Sequence, residues 1–258
     1  LYRETRAIGP LVRPAVLAVY AVVIGLLISA IQFYPGYIYT NEFSPRADTK
    51  RGWDWAISWS MHTEEAMGLI VPEFAGVSTE NAETFYWGKN VFKDNSEAVG
   101  AVTFFLALLG AFFARRREAY FFAGLAVFSL VYALGDTTPL FKIFFHVIPM
   151  VKSLRAPSMI MFLFLFSAAL LAGMGLQRLR DAYEKRDALA PGERFEWLLW
   201  GFPAFLLVMA LAFSAAGRGM IKLWTSIFYS DAATQVVGRG ITKLDLAYMN
   251  LPAIRSGF

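Results

Sequence analysis

Apolar residues in this chain fall mostly in long unbroken runs, not in alternation or in one-sided stripes. Five runs read as membrane spans, at about 14–32, 98–113, 120–134, 158–176 and 195–216. Pro14 fits the first turn of the first span, and Pro203 predicts a kink in the fifth. A sixth apolar stretch, 140–151, is bounded by Pro139 and Pro149 and is too short to cross a bilayer. It reads as an interfacial or re-entrant helix. Residues 241–254 are compatible with a further helix. The pattern predicts an all-α integral membrane protein with one membrane domain over 1–258 and about five transmembrane helices.

The polar segments complete the picture. Residues 33–97 carry ten acids against five Lys or Arg, together with Trp53, Trp55, Trp59 and Trp87. That aromatic content predicts an ordered external loop packed on the membrane face. Within it, Thr63 and Glu65 followed by 66–71 suggest a short helix ending at Pro72, and Phe85-Tyr86-Trp87-Gly88 an aromatic anchor. The basic segments 1–13, 115–117 and 177–194 alternate with 33–97, 135–157 and the tail from Gly217. The positive-inside rule puts the basic set, including the N-terminus of this segment, in the cytoplasm.

Composition agrees: 57% of residues are hydrophobic and 17% charged, against about 25% charged in soluble domains. The net charge of +4 needs no nucleic acid, because the cations flank apolar runs. With no cysteine and two distant histidines, neither disulfide nor histidine metal chemistry is expected. No cofactor is expected; a divalent metal is compatible with the carboxylates, but no spacing indicates one. The first run is too long for a cleavable signal peptide and lacks a small-residue cleavage site; the chain begins at Leu1, not Met, and reads as part of a longer polypeptide.

On the external face the chemistry-bearing candidates are His62, Glu64, Glu65, Glu73, Asp136, Lys152 and Arg155, with Tyr86 and Trp87 as stacking surfaces. Carboxylates or an imidazole serve acid–base chemistry, and Arg or Lys serves phosphate. Each has a plainer reading. Glu64 and Glu65 suit the start of a helix, Asp136 suits a turn, and Lys152 and Arg155 suit interfacial anchors. His146, in an apolar run, suits a hydrogen-bonded interfacial histidine or, less simply, a porphyrin ligand. The stretch 135–176 joins a turn, a half-length apolar piece, the cations Lys152 and Arg155, and a long helix. Small residues Ala168, Ala169, Ala172, Gly173 and Gly175 predict close helix packing.

Five phrases in order, GLLISAIQFYP, SWSMHTEEAMGLIVPEFAG, YWG, GDTTPLFKIFFHVIP and LRAPSMIMFLFLFSAALLAGMGL, resemble the bacterial YfhO-like polytopic membrane proteins, over roughly residues 26–179. That resemblance implies the GT-C glycosyltransferase architecture in a bacterial inner (cytoplasmic) membrane. It implies transfer of a sugar from a polyprenyl-phosphate carrier at the extracytoplasmic face. It also implies a catalytic acid in an external loop preceding this chain. Arg155 and the phrase from Glu64 to Gly76 would belong to the substrate-facing surface, although Ser158-Met159 stands where the family pattern often has a second Arg. The alternative is a non-catalytic accessory subunit of a larger membrane complex. A transporter would need charges buried within spans, and almost none are seen.

Overall fold

The computed structural model describes residues 9–43, 52–72, 74–78, 83–91, 93, 94, 96–148, 151–184, 193–238 and 240–258. It divides into two compact units, Leu1–Lys50 and Arg51–Phe258. The first holds α1 (Gly9–Ile38), which runs into a wider helical turn at Tyr39–Phe43. Because α1 starts at Gly9, Pro14 lies beyond its first turn and removes one backbone donor there. The helix also passes the expected end at 32 and takes in Tyr34, Pro35 and Tyr37.

Among the described residues, the regular elements of the second unit are helices and one small hairpin. Its helices are α2 (Trp53–Ile57), α3 (Ala101–Phe113), α4 (Arg117–Ala133), α5 (Pro139–Val147), α6 (Met161–Tyr183), α7 (Glu193–Phe228), α8 (Lys243–Met249) and α9 (Leu251–Gly257). Strands β1 (Val236–Gly238) and β2 (Ile241–Thr242) pair antiparallel, with Val236 opposite Thr242. Among the described residues, three stretches are long and apolar enough to cross a membrane: Val12–Ile38, Pro157–Tyr183 and Phe195–Phe228. The expected second and third spans form helices of 13 and 17 residues. At 1.5 Å per residue these reach only about 20 and 26 Å, against a hydrocarbon core of about 30 Å.

Helices α3 and α6 cross where two glycines let their backbones meet. A Cβ on Gly110 would lie 2.0 Å from the Leu171 carbonyl oxygen, and one on Gly175 would lie 1.9 Å from that of Leu106. Ala168, Ala172 and Gly175 face this contact, whereas Ala169 and Gly173 face outward. Short α5 buries Phe141 and Phe145 one turn apart, edge-on to Trp53.

Helix α7 stays helical at Pro203, where a kink is expected, and breaks instead at Ala216, with φ −132° and ψ 34°. The reason lies elsewhere in the chain. Arg255 donates from Nε to the Phe213 carbonyl and from an Nη to the Ser214 carbonyl, both at 3.1 Å. A regular helix would pair those carbonyls with the amides of residues 217 and 218. The tail also differs from a single helix over 241–254. Thr242 and Asp245 form a reciprocal cap that starts α8 at Lys243, and Asn250 separates α8 from α9.

Candidate functional site

The described part of the 52–97 loop is built inward. The segment Thr63–Leu69 is a tight 3-10 helix, with Met67 and Leu69 buried on it. It carries Glu64 and Glu65 into the interior, where they are 0% and 2% exposed. Buried carboxylates need partners, and most of them come from residues 86–97. The Tyr86 hydroxyl donates to Glu65 Oε1 at 2.6 Å, and the Lys93 ammonium bonds Glu65 Oε2. Lys93 also pairs with Glu97 at 2.5 Å. Gly88 is required by this close contact, since a Cβ there would lie 2.4 Å from Tyr86 Oη and 2.9 Å from Glu65 Oε1.

Glu64 is served differently. Its Oε1 accepts the Lys89 backbone N–H at 3.0 Å, and its backbone carbonyl accepts the Trp224 indole N–H at 3.0 Å. Its Oε2 has no hydrogen-bond partner, and the Lys89 ammonium is 3.9 Å away. Burial raises the Glu64 pKa above the usual carboxylate value, against the opposing pull of its backbone hydrogen bond, His62 and Lys89. Burial also pulls on Lys93, but Glu65 and Glu97 together outweigh it and hold the ammonium above the ordinary lysine value. Lys243, 5.0 Å over the Tyr86 ring, is lowered by burial, with Glu64 and Glu65 opposing. Burial, with Glu64 and Asp231, pushes Tyr229 up to about 12, and Lys89 lies 5.4 Å over its ring.

The far end of the chain locks this arrangement. Asn250, fully buried, makes two 2.8 Å hydrogen bonds to the backbone of Phe85, accepting its N–H and donating to its carbonyl. Gly76 closes on the same backbone; a Cβ there would sit 2.1 Å from the Phe85 oxygen.

Beside the cluster lies a pocket of about 580 Å³. One wall is polar, with Ser60, Glu65, Asn90, Lys93, Asp94 and Glu97. The other is the start of α6, with Met159, Met161, Phe162 and Leu165. Carboxylates, an ammonium and an amide facing apolar side chains suit a ligand with a hydrogen-bonding head and a greasy continuation. Among the described residues, no group of three His, Asp or Glu side chains is placed to hold a metal ion.

The sequence candidates separate. Glu65 and Tyr86 meet in the cluster, and Glu64 lies behind it. His62 is half-buried beside Glu64, with an unpartnered Nδ1. Trp87 has no exposed surface; its indole N–H donates to the Phe74 carbonyl at 2.9 Å, so it has no face left for stacking a ligand. Glu73 lies outside the described residues. Asp136 is exposed in the turn Gly135–Thr137 and does not line the pocket.

Arg155 and Lys152 are exposed and rest on aromatic rings, Arg155 at 4.9 Å over Trp55 and Lys152 at 5.6 Å over Phe145. Neither lines the pocket, but their neighbours Ala156 and Ser158 do. Ala156 has φ +58° and donates to the Ser58 carbonyl, and the Ser158 hydroxyl donates to that of Trp59. His146 bonds the Lys142 carbonyl of its own helix through Nδ1, at 2.7 Å.

Sequence reasoning missed Lys89, Lys93, Glu97, Lys243 and Asn250. The four-residue spacing of Lys93 and Glu97 was the one available signal. Comparison with protein-family models, curated proteins and solved structures finds no match for the chain.

Proposed function

We propose that this chain is a multi-pass membrane protein that holds the head of a lipid-linked sugar in the pocket beside Glu65 and Lys93. In that reading it is the binding portion of a GT-C-like, YfhO-like glycosyltransferase in a bacterial inner membrane. The N-terminus of this segment is cytoplasmic and the pocket extracytoplasmic. The observation that carries the reading is the two-sided pocket, in which an ion cluster faces the first turns of a long apolar helix. Sugar hydroxyls would meet Glu65, Asn90, Lys93 and Glu97, and the polyprenyl chain would follow Met161, Phe162 and Leu165. Arg155 and Lys152, just outside the lining, would face the carrier phosphate. Glu64 is not proposed as the catalytic acid, because it is fully buried and outside the lining.

The test is capture of a photoreactive polyprenyl-phosphate sugar in membranes. Labelling at 159–165 that falls about tenfold in Asn90→Ala and in Arg155→Ala is expected. Unchanged labelling in both variants sinks the reading.

A second reading, an accessory subunit with no ligand, is favoured by one fact. Glu65, Tyr86, Lys93 and Glu97 already satisfy one another without a ligand. It predicts no labelling in the wild-type chain.

A further inference from the structure

Along α3, α4 and α6, from Leu69 and Phe164 to Phe112 and Tyr120, lies a feature that the sugar reading does not use. A groove of about 630 Å³ runs between the three helices. Its floor is made of small residues, Ala107, Ala111, Ala123, Gly124 and Ala168. Phe112, in the last turn of α3, and Tyr120, in the first turn of α4, flank one end of it. Between those two rings the chain turns through Arg115, Arg116 and Arg117, all exposed. Arg115 has φ +49°, a left-handed position that glycine would occupy without strain. Three adjacent exposed cations, one of them on strained backbone, thus lie in the chain between the two rings that flank one end of the groove.

We propose that this groove binds one anionic glycerophospholipid, with its acyl chain on the alanine and glycine floor and its phosphate on Arg115, Arg116 and Arg117. Charge complementarity selects this occupant. A zwitterionic lipid would bring a phosphate but set its own cation among the three guanidinium groups, and an apolar partner helix would bring nothing for them to bind. The inference rests on the bilayer part of the reading above and is independent of the sugar.

Gly124 supplies a clean probe. A Cβ there meets nothing within 4 Å and Gly124 lines the groove, so Gly124→Leu directs its side chain into the channel. Detergent-purified protein is titrated with phosphatidylglycerol and with phosphatidylcholine, and retained lipid is counted by native mass spectrometry. The wild type is expected to retain one phosphatidylglycerol about tenfold more readily than phosphatidylcholine. Gly124→Leu should lose that lipid while keeping its thermal midpoint. The triple Arg115→Gln, Arg116→Gln, Arg117→Gln variant should keep the lipid but lose the preference. Equal retention of both lipids by the wild type, or unchanged retention by Gly124→Leu, overturns the proposal. So does exclusion of both lipids with a change of oligomeric state in Gly124→Leu, which would mark the groove as a helix-docking face. Flotation with liposomes separates the two readings. A chain that floats but ignores phosphatidylglycerol sinks the lipid site alone, and one that does not float sinks the bilayer reading with it.

Discussion

The α3, α4 and α6 trio and the loop-built region around Glu64 and Glu65 are held together in opposite ways. The trio relies on backbone approach at Gly110 and Gly175 and on many interchangeable apolar contacts. The loop region adds to its apolar core around Phe74 and Trp87 a few polar contacts between distant positions, each hard to replace. Apolar packing tolerates change wherever space remains. A buried ion cluster fails when one member is lost, because the desolvated partner is left behind.

That contrast can be broken most severely at Lys93. Lys93→Met leaves Glu65 and Glu97 facing each other without a cation, and a loss of about 3–5 kcal/mol is expected. Chemical unfolding in detergent should show it, and adding Glu65→Gln should restore part of the loss. Next, Gly110→Leu should cost about 3 kcal/mol by forcing α3 off the Leu171 carbonyl. Gly173→Ala on the outer face of α6 should gain up to about 1 kcal/mol. If the two glycine variants unfold alike, the close crossing is not what holds the trio.

Asn250→Ala strips two hydrogen bonds from the Phe85 backbone, for a loss of about 2 kcal/mol. Amide exchange should rise at residues 84–88 and not in α3. The smallest effect is a pH profile. Glu64 has a native pKa above its ordinary value of 4.5. Its contribution is therefore fully present below that value and is lost as pH rises through the native pKa. Glu64→Gln should flatten the alkaline-side decline in thermal midpoint, and an unchanged slope would assign the decline to another group.

The apolar runs made the helices of the second unit legible, because burial and length are local properties of the sequence. Their ends were less so. The fourth run was expected to stop at 176, yet α6 continues to Tyr183, since Gln177, Arg178 and Arg180 are good helix formers that merely end the apolar face. Pro203 drew the expected kink because proline is a local signal. The real break at Ala216 depends on Arg255, which is 41 and 42 residues from the carbonyls it bonds. Glu65 and Tyr86 stood out by type and region. Their partners did not, because the contacts that give Asn250 and Lys243 a role are closed only by the tertiary fold.

The pairing of Asn250 with Phe85 spans 165 positions, and that separation sets a timetable. Synthesis proceeds from the N-terminus at about 5–20 residues per second. Phe85 therefore leaves the ribosome on the order of ten seconds or more before the amide that will hold it exists. During that interval Glu64, Glu65 and Tyr86 can find Lys93 and Glu97, which follow closely, while the Phe85 backbone lacks its Asn250 partner. The ion cluster is a partnership that can form during translation, and the Asn250 clamp is its final fastening. A ribosome stalled between 97 and 250 should carry a nascent chain with the first in place and the second open to protease.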